Sequence, residues 1–364
     1  MSFLVDAVFA PYTLETWSRD QECLYRHVEA RMDVLILNQS DVETLLPMQE
    51  CIVVMGDALA ALARDEVYQP ARMMVRPPDA AGMLAVMPAY MPHTAGHAFY
   101  GVKAICVFHG NPARGKDAHQ GAVLLHSGET GELLAVLNAS AITAIRTAAV
   151  SGVATHLLAR AEAGDLAIIG SGVQARSHLR AMHAVRRIAR ARVASRRMDH
   201  ARHFAAELAP HVPFPIEPVP TVQAAVRGAD LIVTATTATE PILKRAWIAP
   251  GAHLNVIGAY TPTSREVDTA TMAAARLFVD RRESTLREAG DVLVAMQDGA
   301  IGPDHIRAEI GEVLLGSMPG RTAPDEITVF KSLGLPVEDL AAAAYVYQRA
   351  RETGAGTVVP FSVE

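Results

Sequence analysis

The chain has 364 residues, 50% of them hydrophobic and 20% charged, and its 33 basic and 39 acidic residues give a net charge of −6. This length predicts about two domains, and the acidic balance argues against a nucleic-acid partner. The three cysteines are far apart and form no CxxC pattern, which predicts free thiols. With no signal-peptide pattern or membrane-span run, we expect a cytoplasmic protein without a membrane partner.

The first part of the chain contains two kinds of pattern. Residues 1–31 have no clear periodicity and are predicted to be an appendage, after which a short strand leads into a helix with a predicted capping box of Ser40 and Glu43. Residues 71–137 contain short apolar runs and the glycine-rich turn SGETG. We predict an antiparallel or mixed sheet for this region.

A long apolar helix, in NASAITAIRTAAVSGVATHLLAR, is followed by regularly alternating strands and helices. Such alternation predicts a doubly wound parallel sheet. We therefore predict an α/β fold in which a Rossmann-type domain, residues 141–324, is inserted after a strand-rich α+β domain. The final helix, in VEDLAAAAYVYQRARETG, is predicted to return to that first domain, which then comprises residues 1–140 and 325–364.

The stretch DLAIIGSGVQARSH predicts a dinucleotide-binding site. It places Gly170, Gly172 and Ala175 in a GxGxxA pattern directly after an apolar strand and at the start of a helix. The first glycine allows a tight turn, the second lets the backbone approach the pyrophosphate, and the small third residue allows close packing of helix and strand. The helix N-terminus offers N–H donors and a partial positive charge to the phosphates.

The end of the next strand, RARVAS, predicts which dinucleotide is bound. A site for NAD usually has Asp or Glu here, which accepts hydrogen bonds from the ribose 2′-hydroxyl. This chain has Ser195, Arg196 and Arg197 instead, and a hydroxyl with two guanidinium groups suits a 2′-phosphate. We predict that NADPH is preferred, with NADH as the second candidate. The alternative is that the arginines only face solvent and both cofactors are accepted.

Further motifs extend from residue 33 to 350, namely QPAR, VMPAYM, GVKAICVFHGNP, HQGAVLL, AITAIRTAA, IGSGVQARSH, ADLIVTAT, EITVFKSLG and EDLAAA. Together and in this order they resemble the ornithine cyclodeaminase/mu-crystallin family. That family includes ornithine cyclodeaminases, alanine dehydrogenases and reductases of cyclic ketimines, all acting on a carbon next to a carboxylate and a nitrogen. The resemblance implies a homodimer whose first domain binds a small imino or amino acid and forms the dimer contact.

The resemblance also implies site residues. Arg72 of QPAR, Lys103 of GVKA and Arg146 of AIRTAA would hold the substrate carboxylate, a role suited to three cations from separate elements. Met87 and Leu333 would also contact the substrate. The implied cofactor-binding residues are Gln120, Arg146, Gly170, Gly172, Val173, Gln174, Ala175, Ser195, Arg196, Arg197, Thr236, Ile257, Gly258, Ala259 and Ser332. No HxH or HExxH pattern indicates a metal site.

Tyr260, in GAYTPTSREVD, distinguishes between the reactions of this family. Its cyclodeaminases and alanine dehydrogenases typically have Asp there, in a GADxPGKxEL-like motif whose lysine is Ser264 in this chain. The deaminases also tend to have an acidic residue where this chain has Ala85. Loss of ammonia requires positioned carboxylates for proton transfer, whereas reduction of a preformed ketimine requires fewer groups.

We therefore expect NADPH-dependent reduction of Δ1-pyrroline-2-carboxylate to L-proline, and of the six-membered homologue to L-pipecolate. The catalytic residues are then Arg72, Lys103, Arg146 and Tyr260. Tyr260 lines the pocket, donates a hydrogen bond to the nitrogen or to water, or only packs on the cofactor. The alternatives are an ornithine cyclodeaminase, an alanine-type dehydrogenase, and a non-catalytic NADPH-dependent binding protein like mu-crystallin.

Overall fold

The structure, a computed structural model, describes residues 32–94 and 96–362, so the predicted N-terminal appendage lies outside it. The strands are β1 Asp33–Leu37, β2 Met73–Val75, β3 Met83–Thr94, β4 His97–Val107, β5 His119–Ser127, β6 Leu133–Asn138, β7 Asp165–Ile169, β8 Arg190–Ala194, β9 Ile216–Pro218, β10 Leu231–Thr234, β11 His253–Val256, β12 Arg276–Val279, β13 Ile306–Glu309, β14 Thr328–Lys331 and β15 Thr357–Pro360. The α-helices are α1 Gln39–Leu45, α2 Met48–Ala63, α3 Ala139–Leu158, α4 Val173–Val185, α5 Met198–Leu208, α6 Val222–Val226, α7 Thr269–Ala274, α8 Arg282–Glu288, α9 Gly290–Gln297, α10 Ile310–Leu314 and α11 Pro336–Thr353.

The first sheet has seven strands in the order β15-β1-β6-β5-β4-β3-β2. Its pairs are antiparallel except for β1 with β6, which confirms the predicted mixed sheet. Side chains along each strand alternate between the two faces of the sheet, as the pleat requires. The side chains of one face, which we call the inner face, enter one core with α2, α3 and α11. The outer face carries apolar residues in register across the strands, namely the exposed Ile36 and the half-buried Val102, Leu124 and Val136.

The second sheet has eight parallel strands in the order β13-β12-β14-β11-β10-β7-β8-β9. After β9 the chain returns to the other side of β7 and continues with β10 and β11. The carboxyl ends of β7 and β10 therefore flank the switch point, where open α/β sheets bind ligands. This arrangement confirms the predicted Rossmann-type, doubly wound sheet.

The final segment of the chain is divided between the two sheets. Strand β14 lies in the parallel sheet between β11 and β12, although residues 325–364 are assigned to the first domain from the sequence. Helix α11 packs on the inner face of the first sheet, and β15 pairs with β1. All four residues of β14 are buried, as is typical of a strand inside a parallel sheet that is covered on both faces.

Helix α3 connects the two halves, packing on α2 and α11 on one side and on α4 and β11 on the other. Asn138 caps it by accepting a hydrogen bond from the backbone N–H of Ala141 at 2.9 Å. The helix is long and apolar enough to span a membrane, but most of it is buried inside the protein. Its composition is that of a core helix enclosed by both domains.

Helix α1 begins earlier than predicted, so the predicted capping box of Ser40 and Glu43 is wrong. The cap is Asn38, whose side-chain oxygen accepts the N–H of Asp41 at 3.1 Å, while Asp41 accepts the N–H of Asn38 at 2.9 Å. Asn and Asp form the same reciprocal pair as Ser and Glu, and the extended backbone of Asn38 places it ahead of the first turn.

Candidate active site

Two of the three predicted substrate-binding cations are buried where the first sheet meets α3. Lys103 lies on the inner face of β4, in register with Met87 on β3 and Val123 on β5. Arg146 lies in the second turn of α3. The two residues are only 2% and 4% exposed, so each charge requires a partner inside the protein.

Their partners are two adjacent acidic residues in the first turn of α11. Lys103 Nζ lies 2.7 Å from Asp339 Oδ2, and Arg146 donates to Asp339 Oδ1 at 2.9 Å and to Glu338 Oε2 at 2.7 Å. Lys103 Nζ also donates to Thr143 Oγ1 at 3.3 Å. Sequence reasoning missed this acidic pair, although its residues lie in the quoted motif EDLAAA. We call Lys103, Arg146, Glu338 and Asp339 the charge cluster.

Burial changes the ionisation of the charge cluster. It lowers the pKa of Lys103 to about 8, against the opposing effect of Asp339, and raises the pKa of Glu338 to about 7, against the effect of Arg146. Burial also acts to lower the pKa of Arg146, but Asp339 and Glu338 outweigh it and the net pKa is raised. Arg146 therefore stays charged, while Lys103 and Glu338 titrate close to neutral pH.

Arg72, the third predicted cation, contacts the loop that follows β14. Its guanidinium donates to the carbonyl of Leu333 at 3.1 Å and forms an ion pair with Glu288 at the end of α8. Arg72 precedes β2 of the first sheet, whereas Leu333 and Glu288 belong to the part of the chain around the second sheet. The contact therefore bridges the two domains beside Leu333.

Asp280 fixes the turn that carries Ser332 and Leu333. Its carboxylate accepts the N–H of Leu333 at 2.6 Å and of Gly334 at 2.8 Å, and the hydroxyl of Ser332 at 3.4 Å. Burial raises the pKa of Asp280, and these backbone bonds oppose that rise. Gly334 has φ +80°, and a Cβ there would lie 2.6 Å from Arg146 Nη1. The turn thus presses against the guanidinium of Arg146.

The glycine turn after β7 has the geometry that a dinucleotide requires. Gly170 has φ +119°, and a Cβ there would collide with the backbone that follows β10. Gly172 precedes α4 without any side-chain cap, and a Cβ on it would meet no atom within 4 Å. The N–H groups of Val173 and Gln174 are therefore available to a phosphate. Ala175 is fully buried, as the close packing of helix and strand requires.

The residues predicted at the adenosine end follow β8 at the same edge of the sheet. Ser195 Oγ lies 2.9 Å from Ser171 Oγ in the glycine turn, while Arg196 and Arg197 are exposed. Within residues 32–94 and 96–362, neither arginine has an ion-pair partner. By contrast, Arg190 and Arg192 of the same basic run both pair with Asp165. The two exposed guanidinium groups are thus free to bind an anion.

The residues predicted beside the nicotinamide lie at the ends of β10 and β11. Thr236, Ile257, Gly258 and Ala259 follow these two strands directly. Glu266 connects them, because it accepts the N–H of Thr236 at 2.8 Å and the N–H of Gly258 at 2.6 Å. Sequence reasoning assigned no role to Glu266.

Tyr260 follows Ala259 at this edge, and its side chain contacts the first domain. Its hydroxyl lies 3.0 Å from Nε2 of His109, which follows β4. Burial raises the pKa of Tyr260 above its usual value, so the phenol stays protonated near neutral pH. It can donate a hydrogen bond in the cleft but is unsuited to act as a base.

Gln120 is the one predicted cofactor residue that the structure places away from this cleft. It is in register with Cys106, so it lies on the outer face, opposite to Lys103, and its side chain donates to the carbonyl of Asp117 at 3.0 Å. The other predicted residues lie on the inner face of the first sheet, in α3, in the turn after β14 or at the carboxyl ends of β7, β8, β10 and β11, apart from Arg72, which precedes β2. Their individual roles remain predictions.

One histidine, His119, lies near the charge cluster. His119 lies on the inner face, and burial with Lys103 lowers its pKa to about 4, which keeps it neutral. In the part of the chain that the structure describes, no group of three or more His, Cys, Asp or Glu side chains is arranged to hold a metal ion.

Comparison with known proteins shows the family to which the chain is similar. The model of the ornithine cyclodeaminase/mu-crystallin family matches residues 32–354. The mouse ketimine reductase mu-crystallin is 42% identical over 281 residues, which are 77% of this chain and 85% of the mouse protein.

Two solved structures share the whole fold. Δ1-Pyrroline-2-carboxylate reductase from Thermococcus litoralis, in complex with NADH and L-proline, has a TM-score of 0.86 at 36% identity, covering 89% of this chain and 99% of that one. An archaeal alanine dehydrogenase dimer with bound NAD has a TM-score of 0.84 at 33% identity, covering 91% and 100%. The chain therefore belongs to the ornithine cyclodeaminase/mu-crystallin family.

Proposed function

We propose that the protein uses NAD(P)H to reduce a cyclic ketimine carboxylate, Δ1-pyrroline-2-carboxylate to L-proline and Δ1-piperideine-2-carboxylate to L-pipecolate. The observation that carries this proposal is the charge cluster beside a dinucleotide cleft that has Tyr260, rather than a carboxylate, at the end of β11. Relatives named as ketimine and pyrroline-carboxylate reductases support it.

The residues of the cleft have separable tasks in this reaction. Lys103, Arg146 and Arg72 bind the substrate carboxylate, and Asp339 with Glu338 orient the first two cations, which leaves the imine carbon in a fixed position. The cofactor, when bound, supplies the hydride. Tyr260 closes the pocket wall and presents a phenol hydrogen to the imine nitrogen or to a water.

The cyclodeaminase alternative has less support from the cleft. Ala85 is buried on the inner face of β3, two residues before Met87 and on the same side as Lys103. An acidic residue there and another at position 260 are what the deaminating members of the family tend to have. With Ala85 and Tyr260 in these places, this chain lacks those two carboxylates, which are suited to moving protons during loss of ammonia.

The test is NADPH oxidation by the purified protein with Δ1-pyrroline-2-carboxylate, with L-proline measured as the product. Reactions without imine and with NADH in place of NADPH are the controls. If NADPH is not consumed but L-ornithine releases ammonia without net change in the cofactor, the protein is a cyclodeaminase. Tight binding of NADPH with no turnover of any imino or amino acid would instead indicate a binding protein.

For the cofactor, we propose a preference for NADPH, based on Ser195 and on the two unpaired guanidinium groups of Arg196 and Arg197. Replacing both arginines by Ala is expected to weaken NADPH roughly tenfold to a hundredfold and to leave NADH nearly unchanged, since each phosphate contact contributes about 1 kcal/mol or more. Arg202→Ala, an exposed arginine on α5, is the matched control. Equal losses for both cofactors would contradict the assignment.

The pKa of Lys103 predicts a pH dependence. Binding of the carboxylate requires charged Lys103, and its protonated fraction falls as the pH rises through about 8. We therefore expect kcat/KM for the imino acid to fall about tenfold per pH unit above that value. In Lys103→Arg the cation stays charged and this decline should disappear. A decline at the same pH in both proteins would assign the titration to another group or to the substrate.

We also propose that two protomers associate through the outer face of the first sheet. Its in-register apolar residues, including Ile36 and Leu124, are those of a face that packs against another surface. The similar alanine dehydrogenase is a dimer. In this arrangement Gln120 of the outer face would lie near the partner protomer. A cytoplasmic location stays a prediction.

A further inference from the structure

Three buried charges lie beneath the carboxyl ends of β10 and β11, and we call Glu266, Asp291 and Lys331 the buried triad. Glu266 and Lys331 are fully buried, and Asp291 is 1% exposed. Lys331 Nζ lies 3.2 Å from Asp291 Oδ2, so these two charges compensate each other. Within residues 32–94 and 96–362, no basic side chain lies within ion-pair distance of Glu266. With all three groups ionised, the triad has one negative charge in excess.

The hydrogen bonds of Glu266 match an ionised carboxylate. Oε1 accepts the N–H and the hydroxyl of Thr236 at 2.8 and 2.7 Å, and Oε2 accepts the hydroxyl of Thr234 at 2.8 Å and the N–H of Gly258 at 2.6 Å. A backbone N–H can only donate, and each oxygen of Glu266 accepts one backbone N–H, so both oxygens act as acceptors. Burial and Asp291 raise the pKa of Glu266, while Lys331 and the threonine hydroxyls oppose the rise.

The excess charge lies directly behind the residues predicted to contact the nicotinamide. Thr236 and Gly258 both bond to Glu266, and a Cβ on Gly258 would lie 2.6 Å from Glu266 Oε1. Lys331 donates to the carbonyls of Val256 and Ala259 on the same strand end. The oxidised nicotinamide ring carries a positive charge that the reduced ring lacks. In a buried site, a nearby fixed negative charge distinguishes the two forms.

We propose that the excess negative charge of Glu266 makes the protein bind the oxidised cofactor more tightly, relative to the reduced one, than the same cleft would without it. Glu266 acts through its charge and by positioning Thr236 and Gly258, and it does not itself touch the substrate. This inference depends on the proposed use of NAD(P)(H). It adds that the cleft stabilises the oxidised cofactor, which is the form that imine reduction produces.

Glu266→Gln tests the proposal because it removes the charge with little change in size. The dissociation constants of NADP⁺, NADPH and 2′-phospho-ADP-ribose are measured without substrate, or those of NAD⁺, NADH and ADP-ribose if the wild type prefers them. A unit charge acting at about 10 Å through an effective dielectric constant of about 20 changes a binding constant on the order of tenfold. We expect the oxidised form to weaken by that factor relative to the reduced form, with the ADP-ribose ligand unchanged.

Three further variants separate charge from geometry. Glu266→Asp keeps the charge and should keep the wild-type ratio of the two constants, even if both forms bind more weakly. Asp291→Asn leaves Lys331 to compensate Glu266, so its ratio should change as in Glu266→Gln, and this variant decides the question if Glu266→Gln fails to fold. Glu240→Gln, an exposed carboxylate in the loop after β10, is the control and should have no effect.

Equal weakening of the oxidised and reduced forms in Glu266→Gln and Asp291→Asn would overturn the proposal, since it would leave Glu266 only a structural role. A wild-type protein that binds none of the three ligands would overturn it as well. Failure of the proposed reaction has a different signature. In that case the cofactor constants shift as expected, but no ketimine is reduced.

Discussion

Replacing Lys103 by Met is expected to lower kcat/KM for the imino acid by roughly a thousandfold, because loss of one partner of a buried charge pair costs about 2–5 kcal/mol. Met retains much of the length of the side chain but cannot bind a carboxylate. Asp339 keeps its hydrogen bond from Arg146, and protonation of Glu338, whose pKa burial raises to about 7, removes the one negative charge then in excess. NADPH affinity, measured by the fluorescence of the bound cofactor, should change less than about twofold.

Lys116→Met is the matched control for this variant, since Lys116 is exposed in the loop between β4 and β5. It should retain wild-type turnover and melting temperature. If Lys103→Met lost NADPH binding and folding together with turnover, Lys103 would have a structural role rather than a role in substrate binding.

Replacing Gly334 by Ala is expected to produce the second large effect. Gly334 has φ +80°, which L-residues adopt at a cost of about 1–3 kcal/mol. The added Cβ would also lie 2.6 Å from Nη1 and 2.8 Å from Nη2 of Arg146. We expect the free energy of unfolding to fall by about 2–4 kcal/mol and kcat/KM to fall by more than about tenfold.

Gly354→Ala separates the steric effect on Arg146 from backbone strain. Gly354 has φ +69° at the end of α11, and a Cβ there meets nothing within 4 Å. This variant should therefore lose stability through strain alone and keep its kcat/KM. Similar kcat/KM values for Gly334→Ala and Gly354→Ala, both measured well below their melting temperatures, would show that the turn does not position Arg146.

The fold was largely predictable because local patterns determine it. The alternation after residue 139, the glycine turn at Gly170 and the short strands of residues 71–137 each follow from the period of apolar residues or from turn chemistry. The place of β14 was not predictable in this way. The order of strands in a parallel sheet depends on crossovers, and a strand just before the final helix could belong to either sheet.

The candidate site was predictable only in part, for a physical reason. Lys103 and Arg146 came from motifs, but their partners Glu338 and Asp339 are 192 and 193 residues from Arg146. Acidic residues in the first turn of a helix normally face solvent and complement the helix dipole. Nothing local indicates that these two are buried. The same holds for Glu266, whose four hydrogen-bond donors come from two other strand ends.

The charge cluster has a consequence for the order in which the protein folds during its synthesis. A ribosome releases the chain from its N-terminus, so the strand with Lys103 and the helix with Arg146 are made long before the first turn of α11. Until that turn arrives, closing the core of the first sheet would bury two cations without partners, at a cost of several kcal/mol. The first domain in the sequence is therefore the last to be completed, and a nascent chain that stops before residue 336 lacks a finished site.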